Sequence, residues 1–438
     1  MNVLYLYNST QTFTNTVFEH IDGFRKYSCH RSFFAHQDPV IGVDIDLELF
    51  DAVGFHYTNR LPFDQVAEAT ARRLEVYGGV KFLFIQDEYD FTHRAWYWIK
   101  RLGINLVFTV VPEAHIPRVY PPDQFPGVRF VSNLTGYVPE NIPIVSNLVS
   151  PSQRSLLIGY RGRSLPVRYG ALGFEKIAIG KLTKDYCEAR GLRSDIAWQE
   201  EARIYGPRWY EFMASCRAML GSESGSNVFD WDGRLEAQLK YYEGSNPGSS
   251  NQTIYQKIVA PLELPGLMNQ VSPRVFEAIA LRTVLVLFEG SYSGAVTPGV
   301  HYIPLKKDGS NLEEVFLLLN NAEYVDAMAD RAYRDVIASG NYSYKEFVRF
   351  VDGEIESLSN QLSRTRQARC VDGAAKIRLP ELSSITTMPI QALPPTPAQL
   401  RRQALSTLRR VAIFTWDKVP EGLRGRIRPH LKRVLRRG

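Results

Sequence analysis

Residues 270–290 read QVSPRVFEAIALRTVLVLFEG. Ser272 suits a helix cap, and Pro273 suits the first helical position, where the donor it lacks is not missed. The helix over Pro273–Leu281 gives way almost at once to TVLVLFE (283–289), a continuous apolar run of strand length. A helix feeding directly into such a strand is the unit of a parallel sheet covered on both faces. The same alternation extends back through the chain. VLYLY (3–7), FDAVGFH (50–56), VKFLFIQ (80–86) and INLVFTV (104–110) read as buried strands, separated by helical stretches at 16–27, 63–76 and 93–102. The pattern pauses at VSNLVSPSQRS (145–155) and restarts with SLLIGYRG (155–162), a helix over 173–190, a short strand at 195–198, a helix over 207–216 and AMLGSES (218–224).

The expected fold is therefore α/β: two Rossmann-like, doubly wound parallel-sheet domains over residues 1–148 and 149–358. The helix at 344–358 is placed to return to the first domain. A Ser/Thr/Pro-richer linker (359–398) and a basic amphipathic helical tail (399–438) complete the chain. Two such sheets facing one another put the carboxyl ends of their strands on a common cleft, where ligands of open α/β sheets bind.

Composition bounds the function classes. With 438 residues, 45% apolar and 22% charged, the chain can fill substantial cores, which excludes a disulfide scaffold, a collagen-like chain or wholesale disorder. No apolar run approaches the roughly 18 residues of a membrane span, and MNVLYLYNS lacks the basic leader and cleavage pattern of a signal peptide. The four cysteines (Cys29, Cys187, Cys216, Cys370) are scattered, which suits a reducing cytosol and gives no zinc motif. The overall charge of +6 conceals an asymmetry. Residues 399–438 hold 12 Lys or Arg against Asp417 and Glu421, so the body is mildly acidic. Arg and Lys opposite Leu, Val and Trp in this tail describe a helix lying on an anionic lipid surface; a solvated or RNA-touching tail is the blander reading.

Free N–H groups at the Ser272 helix start, with Arg274 beside them, form an anion site suited to a diphosphate. Glu277, one turn further in, repels phosphate but can accept from sugar hydroxyls; an ordinary capped helix with Glu277 paired to an Arg is equally compatible. In LIGYRGRSLPVRYGALGFEK (157–176) a strand runs into a Gly-rich turn bearing Arg161 and Arg163, with Lys176 following. MLGSESGSNVFDWDGR (219–234) brings Glu223 and Asn227 to a strand end, while Asp230 and Asp232 read as a turn or helix cap rather than a metal motif. FLFIQDEYDFTHR (82–94) puts Asp87 and Glu88 at the end of a first-domain strand, with His93 a poorer third choice, where a general base can face the cleft. Capping of the next helix competes with that role. There is no GxGxxG after the first strand, and HExxH and GxSxG are absent.

SPRVFEAIALRTVLVLFEG, followed by SGAVTPGVHYIPL (293–305), resembles the donor-binding end of GT-B nucleotide-sugar glycosyltransferases. The likeness is to bacterial families with a CgeB-like, family-1-type C-terminal domain. It covers roughly residues 150–355 and is only architectural before that. It implies that Glu277 holds the nucleotide ribose and that Arg161, Arg163 and Lys176 meet the donor diphosphate. Asn269 stands where many relatives have a sugar-contacting Glu. With Glu223, Ser272 and Arg274, these residues form the expected donor site, and Asp87 and Glu88 are the expected catalytic acids. The resemblance further implies transfer from a nucleoside-diphosphate sugar to a glycan or lipid-linked acceptor in bacterial surface polysaccharide synthesis. No cofactor, metal or nucleic acid is expected, and the chain would be cytoplasmic, resting on the inner face of the membrane. A non-catalytic nucleotide- or glycan-binding scaffold and a nucleotide-sugar epimerase are the alternatives on this fold.

Overall fold

The computed structural model describes residues 1–11, 14–142 and 148–366. The expected tail, and the linker from 367 onward, lie outside the described residues.

The first sheet has six parallel strands: β1 (Asn2–Tyr7), β2 (Arg31–His36), β3 (Ala52–Phe55), β4 (Val80–Ile85), β5 (Leu106–Thr109) and β6 (Arg129–Ser132), in the order β2-β1-β3-β4-β5-β6. Its side chains alternate between two cores. Leu4, Leu6, Val53, Phe55, Leu83 and Val107 enter one; Val3, Tyr5, Ala52, Phe82, Phe84 and Phe108 enter the other. This is why the central strands read as unbroken apolar runs. The edge strands β2 and β6 carry RSFFAH and RFVS, are only partly buried, and escape a search for such runs.

The second sheet is built from β7 (Leu156–Arg161), β8 (Ser194–Ala197), β9 (Cys216–Gly221), β12 (Val284–Phe288) and β13 (Ile303–Leu305), in the order β13-β12-β9-β7-β8. All its pairings are parallel. A two-residue antiparallel ribbon, β10 (Ser224–Gly225) with β11 (Asn269–Gln270), projects beyond it. In both sheets the first strand lies between the second and the third, so each has a topological switch point, β1/β3 in one and β7/β9 in the other. This is the doubly wound pair expected from the sequence.

The last described helix, Tyr344–Arg366, runs past residue 358, where the linker was expected to begin. Tyr344, Phe347, Val348, Val351, Ile355 and Leu358 fall at helical spacing and are buried in the core shared with Val3, Tyr5 and Phe82. The chain thus returns from the second sheet to cover one face of the first. Among the described residues, no helix is long and apolar enough to cross a membrane.

Arg154 ties the amino-terminal ends of the second sheet together. Only 3% exposed, it donates to the carbonyls of Val149, Cys216 and Leu281 and to the Thr283 hydroxyl at 2.7–3.1 Å. No carboxylate is ion-paired with it among the described residues, and burial brings its pKa down to about 10. Each buried acceptor left bare costs about 1–3 kcal/mol. Arg154→Ala is expected to lower unfolding free energy by about 3 kcal/mol or more, measured by urea melts, without touching ligand-binding loops.

Candidate functional site

The carboxyl ends of the two sheets meet. Asp90, in the loop after β4, forms a parallel bridge with Asp230, in the loop after β9, with Asp230 N–H donating to Tyr89 O at 2.8 Å. Arg168, in the loop after β7, ion-pairs with Asp90. Gln270 donates through Nε2 to Val110 O, and the Thr135 hydroxyl donates to Val271 O. Phe229, Leu267 and Met268 of the second domain enter a core of the first. Gly136 lies against the tip of the Pro273–Ala280 helix; a Cβ there would come within 2.6 Å of the Pro273 ring.

On the second-domain side, three loops converge on Glu223, which is 4% exposed. Its Oε1 accepts from Ser291 N–H and Oγ, both at 3.0 Å, and from Tyr292 N–H at 2.7 Å; its Oε2 accepts from Asn269 Nδ2. Tyr292 and Ser293, at φ 46° and 53°, hold left-handed backbone that non-glycine residues adopt at a cost of about 1–3 kcal/mol each. Lys176 Nζ donates to Glu223 O at 3.0 Å. Burial, and then the Arg274 charge, bring the Lys176 pKa down to about 8. Asn269 Oδ1 is buried with no partner among the described residues.

Arg274 completes the cationic side. Its guanidinium stands 5.0 Å from the Trp209 ring centroid and 5.7 Å from that of Tyr160, in no ion pair among the described residues. Glu277, on the next turn, accepts from Trp209 Nε1 at 2.8 Å. Its carboxyl pKa is raised by burial, against the pull of that hydrogen bond and of Arg274. Ser272 precedes the helix with extended backbone, but its hydroxyl caps nothing; the helix tip is not occupied by its own cap.

Other expected positions come out differently. Arg161 does not face an anion site. It donates to the carbonyls of Ala202, Tyr160 and Asp195 and pairs with the Asp195 carboxylate at 2.8 Å, its guanidinium over the Phe212 ring. The side chain turns along the strand edge because β8 presents acceptors beside it. Arg163 is exposed, and nothing among the described residues engages it. The N-terminus of the long helix Gly170–Ala189 is also filled, since Glu263 accepts from Ala171 N–H at 2.6 Å. Asp230 caps the helix Arg234–Ser245, accepting from the N–H groups of Gly233, Leu235 and Glu236.

Of the two first-domain acids, Asp87 is 32% exposed at its side chain, pairs with Arg60 Nε at 2.7 Å and accepts from Tyr89 OH. Glu88 is fully buried, which removes it from any acceptor's reach. Its Oε1 takes the Thr109 hydroxyl and Val110 N–H, and its Oε2 has no partner among the described residues. Both acids lie beyond the end of β4, in the turn closed by Asp90 N–H donating to Asp87 O at 3.1 Å, and that turn sends the two side chains into different surroundings. His93 is exposed on its helix, packed against Trp96 and Trp231. Gln86 Nε2 approaches Thr135 O at 3.5 Å, so the strand end bearing Asp87 is linked through Thr135 to the segment entering the Pro273 helix.

Several functional positions were not legible. Trp209 and Tyr160 frame Arg274, yet a tryptophan in PRWYEF carries no signal of its own. At the first sheet's switch point, buried His56 bonds His20 and Thr58 at 3.0 Å. Burial pushes the His20 imidazole down to about 3, so this pair is neutral.

No protein-family model matches the chain, and no curated protein matches its sequence. Among solved structures it is similar to an alpha-glucosyltransferase in complex with UDP and a 13-mer DNA, at 11% identity and TM-score 0.46, covering 81% of this chain and 99% of that one. It is also similar to Alr3699/HepE of Anabaena in complex with UDP and glucose (12% identity, TM-score 0.44, covering 84% and 100%). A third is TarM, known from S. aureus, at 12% identity and TM-score 0.37, with 69% of this chain matching 54% of that one. The chain thus spans about half the length of TarM. Likenesses this distant leave the architecture to be read from strand order and direction. That order defines a two-domain α/β protein whose doubly wound parallel sheets bring the loops at the carboxyl ends of their strands together.

Burial pushes the Glu88 carboxyl up to about 8. Since the unfolded chain releases that proton near pH 4.3, the folded state binds the extra proton between roughly pH 4.5 and 8. Stability must fall as pH rises through that window, by up to about 1.4 kcal/mol per pH unit. Glu88→Gln is expected to flatten this slope and to raise the melting temperature more at pH 8 than at pH 5.

Proposed function

We propose that this chain is a glycosyltransferase that moves a sugar from a nucleoside-diphosphate donor to a glycan or lipid-linked acceptor, as in bacterial surface polysaccharide synthesis. The observation that carries this reading is Arg274. A guanidinium with no ion-pair partner among the described residues stands near two aromatic rings at an uncapped helix tip, beside Lys176 and one turn before the half-buried Glu277.

In this reading Arg274 and Lys176 offset the charge that builds on the leaving diphosphate, the electrostatic task of such a transfer. Glu277, oriented by Trp209, accepts from the ribose. Asn269 Oδ1, buried and unpartnered, accepts from a sugar hydroxyl in place of a glutamate. Asp87 is the accessible acid on the acceptor side, with Arg60 fixing its carboxylate; it takes the acceptor hydroxyl proton as the new glycosidic bond forms. The basic amphipathic pattern of residues 399–438 suits the anionic inner face of a membrane, where a lipid-linked acceptor would lie.

Calorimetric titration with nucleoside diphosphates tests the donor site. Arg274→Ala and Glu277→Ala are expected to weaken binding about ten- to a hundredfold, the worth of a charge-assisted hydrogen bond. Arg161→Ala should lower stability while leaving affinity within about threefold. Full affinity in both Arg274→Ala and Glu277→Ala would remove the assignment. Diphosphate release that depends on added acceptor separates a transferase from a binding scaffold, and donor conversion without acceptor would mark an epimerase. With Lys176 titrating at about 8, its positive charge is present below that pH and lost above it. Nucleoside-diphosphate affinity should therefore fall as pH passes about 8, and Lys176→Arg should remove the fall.

A further inference from the structure

A second cluster of chemistry-bearing side chains lies apart from these loops. Cys29 and His30 are consecutive in the turn between the helix Asn15–Tyr27 and β2; Asp352 and Glu356, four residues apart, share one face of the helix Tyr344–Arg366. Cys29 Sγ lies 3.7 Å from Glu356 Oε1 and 4.0 Å from His30 Nε2, and that same Nε2 lies 3.5 Å from Glu356 Oε1. With zinc bonds of about 2.3 Å to sulfur and roughly 2.0–2.2 Å to nitrogen and oxygen, the edges of a tetrahedral ligand set are about 3.4–3.6 Å. The three donors thus already stand within about half an ångström of that spacing.

Asp352 lies beside the Cys29–His30 edge of this set. One ligand atom each of Cys29, His30 and Asp352 lies within 4.8 Å of the others. The Asp352 carboxylate, buried, is turned toward the turn by Ser28 Oγ at 3.0 Å and Cys29 N–H at 2.8 Å. Those contacts leave carboxylate acceptor capacity to spare. The His30 side chain is only 4% exposed, yet among the described residues its ring nitrogens meet nothing closer than the thiol and the Glu356 carboxylate, both at 3.5 Å. No lysine or arginine pairs with Asp352 or Glu356 among the described residues, so two carboxylates converge without a fixed cation.

We propose that Cys29, His30, Asp352 and Glu356 form a tetrahedral site for a borderline-soft divalent cation, zinc by its mixed sulfur, nitrogen and oxygen donors. The metal binds the thiolate, the thiol proton leaves to solvent, and no redox change is involved. The bound ion fastens the returning helix to the first domain. This site is independent of the sugar-transfer reading.

The full chain, stripped with a chelator, is titrated with Zn²⁺ by calorimetry and with Co²⁺ by absorbance. One Zn²⁺ per chain, a thiolate-to-cobalt charge-transfer band with the visible bands of tetrahedral Co²⁺, and a higher melting temperature with Zn²⁺ are expected. Cys29→Ser and Glu356→Gln change exposed side chains and should fold; each is expected to weaken Zn²⁺ at least tenfold, and Cys29→Ser to abolish the thiolate band. Nucleoside-diphosphate affinity should be the same in Cys29→Ser as in the parent. Zn²⁺ binding unchanged in Cys29→Ser, or a Co²⁺ spectrum without the thiolate band, would overturn the proposal.

Discussion

The buried carboxylate of Glu223 is the constraint on which the donor-side loops depend. Two backbone N–H groups, a hydroxyl and a side-chain amide all donate to it, which fixes the left-handed turn after β12, the ribbon at Asn269 and the end of β9 in one arrangement. A charged acceptor with four donors in a dry setting is worth more than neutral contacts, and losing it would leave several backbone groups bare. The turn geometry at Tyr292 and Ser293, which costs free energy by itself, persists because that carboxylate over-determines it. Sequence position suggested that Glu223 would meet the donor directly; its carboxylate instead holds the frame on which Asn269 and Lys176 are mounted.

The same economy of polar groups joins the two domains. Ser293, held by the Glu223 turn, accepts from Val271 N–H and donates to Gln270, whose amide reaches Val110 of the first domain. The loops at the carboxyl end of the second sheet are therefore coupled by hydrogen bonds to the segment that follows β5. Apolar contacts from Phe229, Leu267 and Met268 add to this. A bound donor at the Pro273 helix tip would bear on these contacts directly, because Gly136 of the first domain already touches that tip.

The fold was largely legible, for a physical reason. Central parallel strands are apolar on both faces, so VLYLY, VKFLFIQ and TVLVLFE announce themselves, whereas the edge strands β2 and β6 mix polar and apolar residues. The segments that converge at the candidate site were legible, and the fate of their side chains less so. The Ser272–Glu277 stretch could be read because helix starts have a chemistry of their own. Arg161 could not, since its fate depends on the acceptors that β8 brings alongside, a long-range pairing that spacing does not encode. Glu88 and Asp87 are set apart by the turn that follows β4, and the Ser272 hydroxyl makes no capping bond.

The returning helix has a mechanical consequence. Because Tyr344–Arg366 is packed on the first sheet, the first and last described elements share one core, and the second sheet is inserted between them. Parting the two halves would therefore need give at two crossings of the chain and not at one.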